Sequence, residues 1–273
     1  MDYGDLRIPR NLIRYSKERL FIMNQEDAQH YLYCAMSIGE QLLMSGAEVS
    51  RVEDTIRRIC IAYGASRVDV FSITSSIVTT LYSEESGPCT QTRRIAGMAY
   101  DLNKLEQLNQ LSRKICAEKP DYHRILGDLN SICCGPRYSF ATQLLIYALI
   151  SGSFSVFFGG DALDMAASAV IGILLKFLES FISRSALNAL LSALLCSIAG
   201  GFLSSLSVLA GLGHHADLIS IGNIMLLIPG IAFTNSLRDM FSGDIITGLI
   251  RFIESILLAI IIALGFSFAN FLF

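Results

Sequence analysis

The sequence predicts a multi-span α-helical membrane protein of about five transmembrane helices, preceded by an N-terminal cytosolic α+β domain. Three observations lead to this fold class. Residues 1–137 hold 17 of the 21 basic and 17 of the 24 acidic side chains, whereas the remainder consists mainly of apolar runs. Several of these runs are long enough to cross a bilayer. Before them, residues 68–82 are rich in β-branched and aromatic residues, which is typical of strands.

Three segments follow from this pattern. We expect an N-terminal tail over residues 1–25, an α+β domain over residues 26–136 and a membrane domain over residues 137–273. Within the α+β domain, apolar periodicity and turn residues predict helices over 26–45, 47–63, 101–114 and 121–133, and strands over 68–73, 77–82 and 91–95. The first apolar run begins only after Pro136, too late for a cleaved signal peptide, so this domain is expected to stay in the cytoplasm.

Apolar length and the spacing of charges predict five spans, over residues 138–158, 162–178, 186–210, 218–237 and 245–271. Pro229-Gly230 should break the fourth span into two half-helices. A broken helix is tolerated in lipid only where protein or a water-filled cavity satisfies the freed backbone groups. Broken spans beside ionisable groups form the substrate sites of many secondary transporters.

The basic residues of the membrane half favour one orientation. Lys176 and Arg184 lie near the second connection and Arg238 follows the fourth span, whereas the first and third connections contain no Lys or Arg. The positive-inside rule then predicts a multi-pass protein of the plasma (inner) membrane, with its N-terminal domain in the cytoplasm and its C-terminus outside.

Polar and ionisable residues in or near the spans are the candidate site, because charge at membrane depth is costly and should face water, substrate or another charge. Arg251 and Glu254 share one helix face, either as an ion pair that locks two helices or as part of a site. Asn235 and Asp239 follow the break, as a polar site or as a helix cap. The residues expected to line a substrate or proton path are Asp161, Asp164, Pro229, Gly230, Asn235, Asp239, Asp244, Arg251 and Glu254.

Composition argues against several other functions. A net charge of −3 without a basic stripe gives no sign of nucleic-acid binding. The seven cysteines include no CxxC pair, so we expect no metal site and no cofactor. No phosphate-binding Gly-rich loop and no spaced nucleophile–base set is present, so an ATP-driven pump and an enzyme are both disfavoured. Two alternatives stay open: a membrane-anchored enzyme with a hydrolase-like soluble domain, and a ligand sensor.

Two motifs resemble the threonine/serine exporter family. The first is GAEVSRVEDTI at residues 46–56, and the second combines Pro229-Gly230 with Asn235, Asp239, Gly243-Asp244, Gly248, Arg251 and Glu254. Phe158-Gly159-Gly160-Asp161 is a third, weaker match. The resemblance covers nearly the whole chain and is closest to the larger subunit of the split, two-component type.

The resemblance implies a membrane subunit of a secondary exporter of small polar metabolites, either threonine and serine or a dicarboxylate such as succinate. It also implies a hetero-oligomer with a second, small membrane subunit of about five spans. An odd number of spans fits this arrangement, since a second five-span unit would sit inverted around a shared midplane site. We expect proton coupling through an acidic residue, Asp239 or Glu254.

Overall fold

The computed structural model describes residues 24–136, 138–185 and 187–272. The chain divides into two compact units. The first comprises residues up to Ala47 together with Arg51–Ile132, and the second comprises Glu48–Ser50 and Cys133–Phe273. The N-terminal tail expected over residues 1–25 lies almost entirely outside the described residues.

The first unit contains α1 (Gln25–Met44) and α3 (Leu102–Glu118), together with most of α2 (Val49–Ala62) and of α4 (Tyr122–Cys133). The side chain of Asn24 caps α1 by accepting the Asp27 N–H at 2.8 Å. The turn after α1 passes through Gly46 at φ +93°, a conformation that favours glycine. The apolar stripe predicted for α2 is buried as expected, including Val52, Ile56 and Ile59.

A three-stranded antiparallel sheet of order β1-β2-β3 completes this unit, with β1 (Arg67–Ile73), β2 (Ser76–Ser83) and β3 (Gly87–Arg94). The central strand alternates inward and outward residues, and Ile77, Thr79 and Leu81 are fully buried. The prediction that β3 begins at residue 91 was wrong, because the strand already includes Pro88. Proline is tolerated there because β3 is an edge strand, where an N–H can be absent from the ladder.

The second unit is helical: α5 (Phe140–Phe157), α6 (Ala162–Ile182), α7 (Ala189–Leu209), α8 (Ala216–Leu227), α9 (Gly230–Phe241) and α10 (Ile245–Phe271). Among the described residues, α5, α6, α7 and α10 are each long and apolar enough to cross a membrane, and α8 with α9 forms one bent pair that passes the same test. Four to five spans therefore make this a multi-pass membrane protein.

Two spans extend four residues past their predicted ends. The broken span continues to Phe241 rather than to residue 237, and α6 continues to Ile182 rather than to residue 178. Lys176 Nζ lies 3.0 Å from Glu179 Oε2 on the same face, and the Tyr147 hydroxyl of α5 donates to the same carboxylate oxygen at 2.7 Å. The charges are thus paired within the bundle, so the helix does not have to end at the first of them.

Small residues allow close helix packing in this unit. A Cβ built on Gly201 of α7 would lie 2.7 Å from the Ala269 Cβ of α10, and one on Gly200 would lie 2.9 Å from the Phe266 ring. The stripe of small residues in the third span therefore serves close packing of α7 against α10, as is usual for small residues in membrane helices.

Candidate functional site

The fourth span is broken at Pro229-Gly230. α8 ends at Leu227, α9 begins at Gly230, and the two helices bend by 55°. Proline cannot donate a backbone hydrogen bond, and no side chain caps the start of α9. Gly230 is exposed, and a Cβ there would meet open space. The start of α9 therefore directs backbone N–H groups toward an accessible region, where an anion would be favoured.

An ion pair lies at the other end of α9. Arg251 Nη1 of α10 donates to Asp239 Oδ2 at 2.7 Å, and the two side chains are only 2% and 0% exposed. The Asp239 carboxylate also accepts the Val49 N–H at 3.4 Å. A charge pair excluded from water within an apolar bundle is costly to desolvate and is tolerated because each charge satisfies the other.

The other residues expected near the break are less enclosed. Asn235 and Pro229 are partly buried, Asp244 is partly buried at the start of α10, and Glu254 is exposed. The structure therefore gives Arg251 a partner twelve residues earlier in the chain, rather than Glu254 three residues later. A sequence argument from helix spacing could not find this contact, because it depends on how α9 folds back against α10.

A second polar group joins the start of α6 to the connection between α7 and α8. The Asp164 carboxylate, fully buried, accepts the backbone N–H groups of His214 at 2.7 Å and His215 at 3.1 Å, and lies 2.8 Å from His215 Nδ1. Asp161 caps α6 and contacts His214 Nδ1 at 2.5 Å. The buried Asp164 carboxylate thus holds the connection between α7 and α8 in place.

These contacts change the pKa values of Asp161 and His215, which lie outside the spans. Backbone hydrogen bonding from Asp164, together with the His214 contact, lowers the pKa of Asp161. The hydrogen bond to the Asp164 carboxylate raises the pKa of His215 above its ordinary value of 6.5. Side-chain atoms of Asp161, Asp164 and His215 lie within 4.8 Å of one another. The hydrogen bonds among these groups already account for that closeness.

Sequence reasoning missed a third feature, a cluster of uncharged polar side chains between α5, α6 and α8. Ser151 Oγ lies 2.7 Å from both Ser168 Oγ and Asn223 Oδ1, and the Ser168 hydroxyl donates to the Ser151 carbonyl at 3.0 Å. All three residues are fully buried. The available signal was the four-residue spacing of Tyr147, Ser151 and Ser155, which places them on one face of α5.

An open groove of about 610 Å³ lies between α6 and α7 and is lined almost entirely by apolar side chains, among them Leu178, Phe181 and Phe202. Its surface suits a lipid chain or another apolar helix better than a polar metabolite.

Comparison with known proteins also indicates a membrane transporter. The family model described as "Putative threonine/serine exporter" matches residues 33–273, which is most of the chain. The chain belongs to the threonine/serine exporter family. It is also 26% identical, over 236 residues, to the threonine/serine exporter of Corynebacterium glutamicum.

That alignment covers 82% of this chain but 47% of the relative, so this family member spans about half the length of the curated exporter it matches. No solved structure matches the chain. The family is one of exporters, which agrees with polar groups enclosed in an apolar bundle.

Proposed function

We propose that this chain is a membrane subunit of a secondary exporter of small polar metabolites. The observation that carries the proposal is the Arg251–Asp239 pair, because two opposite charges are enclosed among apolar helices beside a broken span. Intramembrane charges of this kind are expensive and commonly mark substrate or ion pathways. A purely structural contact between α9 and α10 could be made more cheaply by apolar side chains.

The chemistry of the pair favours a zwitterion. A substrate that carries one carboxylate and one ammonium can exchange partners with the pair, its carboxylate binding Arg251 and its ammonium binding Asp239, without leaving either charge unpaired. A dicarboxylate supplies only negative charge, so its second carboxylate would lie against the negative charge of Asp239. The C. glutamicum relative is named a threonine/serine exporter. We therefore favour threonine and serine over a dicarboxylate such as succinate as the exported metabolites.

The same pair offers a route to proton coupling. While a substrate carboxylate holds Arg251 and the substrate ammonium has not yet reached Asp239, or has already left it, the Asp239 carboxylate lacks its partner in a region that disfavours an isolated charge. Uptake of a proton by Asp239 would relieve that cost, and its release would restore the ion pair after the substrate has left. Asp239 is in this scheme the coupling residue, and Glu254, which is exposed, is not required.

We further propose the orientation and partner that the sequence predicts: N-terminal domain in the cytoplasm, C-terminus outside, and association with a second membrane protein of about five spans. The relative is about twice as long as the region it shares with this chain, so its length leaves room for a second unit. Two units of opposite orientation would place the broken spans around one midplane site.

A thiol-dependent enzyme in the first unit is the less favoured reading. Burial raises the pKa of Cys34 and Cys60 to about 12. Both thiols therefore remain protonated near neutral pH, whereas a catalytic cysteine must be a thiolate to act as a nucleophile.

The test is threonine efflux from proteoliposomes that contain the purified chain together with the membrane protein that co-purifies with it. We expect Asp239→Asn and Arg251→Gln each to abolish efflux while both proteins insert normally. Arg184→Gln is the matched control, because Arg184 is exposed and lies beyond the spans. Wild-type efflux that survives both changes would contradict the proposed function of the pair.

A further inference from the structure

The start of α2 packs with the membrane helices. Residues Glu48–Ser50 fall within the second unit, and two contacts join them to the end of α9. Glu48 Oε1 lies 2.7 Å from Arg238 Nη1. The Val49 N–H donates to Asp239 Oδ1 at 3.4 Å. Two neighbouring residues at the start of α2 therefore meet two neighbouring residues of α9, one of which belongs to the enclosed ion pair.

The two carboxylate oxygens of Asp239 are held by different elements. Oδ2 accepts from Arg251 Nη1 of α10 at 2.7 Å, and Oδ1 accepts the Val49 N–H at the start of α2. The Asp239 side chain is 0% exposed, so these donors replace the water that a carboxylate would otherwise bind. When Arg251 turns toward a substrate, the Val49 N–H is the donor that stays with the carboxylate.

Close packing fixes the backbone around Asp239, so the two donors decide where its carboxylate points. A Cβ built on Gly248 of α10 would lie 2.7 Å from the Ser236 carbonyl oxygen and 2.8 Å from the Met240 backbone nitrogen. The Asp244 N–H also donates to the Asp239 carbonyl at 3.0 Å and closes the turn between α9 and α10. The end of α9 therefore has little freedom to slide on α10.

Val49 is the first residue of α2, and this position gives its contact with Asp239 an electrostatic role. The first N–H groups of an α-helix have no partner within the helix and carry a partial positive charge. Donation from such an N–H favours the ionised form of a carboxylate. At 3.4 Å the bond is longer than the usual value of about 2.9–3.0 Å, so the carboxylate can move closer to Val49 once Arg251 releases it.

We propose that Glu48 and Val49 are positioning residues of the coupling site. The Val49 N–H holds the Asp239 carboxylate while Arg251 binds the substrate. Glu48 keeps that N–H in place through its ion pair with Arg238. This inference rests on the proposed function, in which Asp239 takes up and releases the coupled proton. It adds that the start of α2 sets the pH at which this proton exchange occurs.

Charged groups face Asp239 from each neighbouring element, so the test must remove the backbone donor and leave every charge in place. These groups are Arg251 and Asp244 on α10, Arg238 on α9 and Glu48 at the start of α2. Both guanidinium groups stay charged at every pH of the assay, because arginine does not lose its proton in proteins. A change of charge at any of these positions would by itself alter the electrostatic potential at Asp239.

Val49→Pro removes only the donor, because proline has no backbone N–H and is well tolerated as the first residue of an α-helix. Net threonine efflux is measured from the proteoliposomes described above, at equal internal and external pH, over a series of pH values. Without the N–H, the Asp239 carboxylate takes up a proton more readily. The pH above which efflux falls to half its maximum should therefore rise by about 0.5–1 unit.

Val49→Ala is the matched control, because it shortens the same buried side chain but keeps the N–H. Lost packing can lower its rate of efflux, but its pH profile should match that of the wild type. A shift as large as that of Val49→Pro would overturn the inference, because the effect would then come from the side chain.

A second variant covers the case in which Val49→Pro does not fold. Glu48→Gln/Arg238→Gln removes the ion pair without changing the net charge, and the loosened start of α2 should give a smaller shift in the same direction. A wild-type pH profile in either variant would overturn the inference. If Asp239→Asn is inactive in the same assay, the proposed function then still stands.

Two results would overturn more than this inference. Efflux that survives Asp239→Asn would overturn the proposed function of the ion pair, and the positioning role with it. A wild type whose net efflux does not vary with pH would overturn both the proton coupling and the role of Glu48 and Val49 in it.

Discussion

Replacing one member of the Arg251–Asp239 pair should destabilise the protein far more than replacing both members together. The two groups are 2.7 Å apart and almost completely enclosed, so removal of one leaves the other buried without its opposite charge. Loss of one partner of a buried pair typically costs about 3–5 kcal/mol. Asp239→Asn and Arg251→Gln should each lower the free energy of unfolding by that amount, whereas the double variant should regain much of the loss.

The assay is a double-mutant cycle on the purified chain in detergent, followed by thermal or denaturant unfolding. A loss of about 3–5 kcal/mol corresponds to a fall in midpoint of roughly 6–20 °C for a protein of this size. The control is Arg184→Gln, since the Arg184 side chain is exposed in the connection after α6 and its loss should leave the midpoint within error.

Two results would refute this reasoning. Single changes that cost less than about 1 kcal/mol would mean that water reaches the pair, in which case the charges are screened rather than enclosed. A double variant whose cost equals the sum of the two single costs would mean that Arg251 and Asp239 act independently.

Three further predictions follow from other parts of the chain. The Asp164 carboxylate raises the pKa of His215, so this contact should stabilise the protein fully below pH 6.5 and less as the pH rises through the raised pKa. His215→Gln should remove that part of the pH dependence of the unfolding midpoint. His123→Gln, at an exposed site, should leave it unchanged. A reporter active only in the cytoplasm should be silent when fused to the C-terminus, and a strong signal there would contradict the orientation. Pro229→Ala with Gly230→Leu should join α8 and α9 into one helix and abolish efflux at normal expression, whereas unchanged efflux would make the bend a packing feature.

Hydropathy and charge predict much of this fold because the bilayer imposes a minimum length on every span. The predicted spans and the helices α5, α6, α7 and α10 agree to within a few residues, and the bend lies at Pro229-Gly230 as expected. In the first unit, the apolar stripe of α2 and the alternation of β2 are both local patterns, and both are found. These features depend on residues close together in the sequence.

The site was harder to predict because its contacts join distant segments. Asp164 meets His215 across 51 residues, and Ser151 meets Asn223 across 72. Single serines barely change the hydropathy of a span, so the buried group of Ser151, Ser168 and Asn223 leaves no trace in hydropathy, and only the four-residue spacing on α5 hints at it. Glu254 shares a helix face with Arg251, yet packing of α9 on α10 brings Asp239 to the guanidinium instead. Rotation of helices about their axes decides such pairs, and sequence spacing along one helix does not encode it.

The most direct test of the account is exchange transport across the membrane. Proteoliposomes that contain the chain and its co-purifying membrane protein are loaded with unlabelled threonine, and uptake of labelled threonine is followed with and without a pH gradient. The account predicts exchange in the wild type, acceleration of net efflux by the gradient, and loss of both with Arg251→Gln. Exchange that is equally fast in the wild type and in Arg251→Gln, at equal protein content, would contradict the claim that the enclosed ion pair is the substrate site.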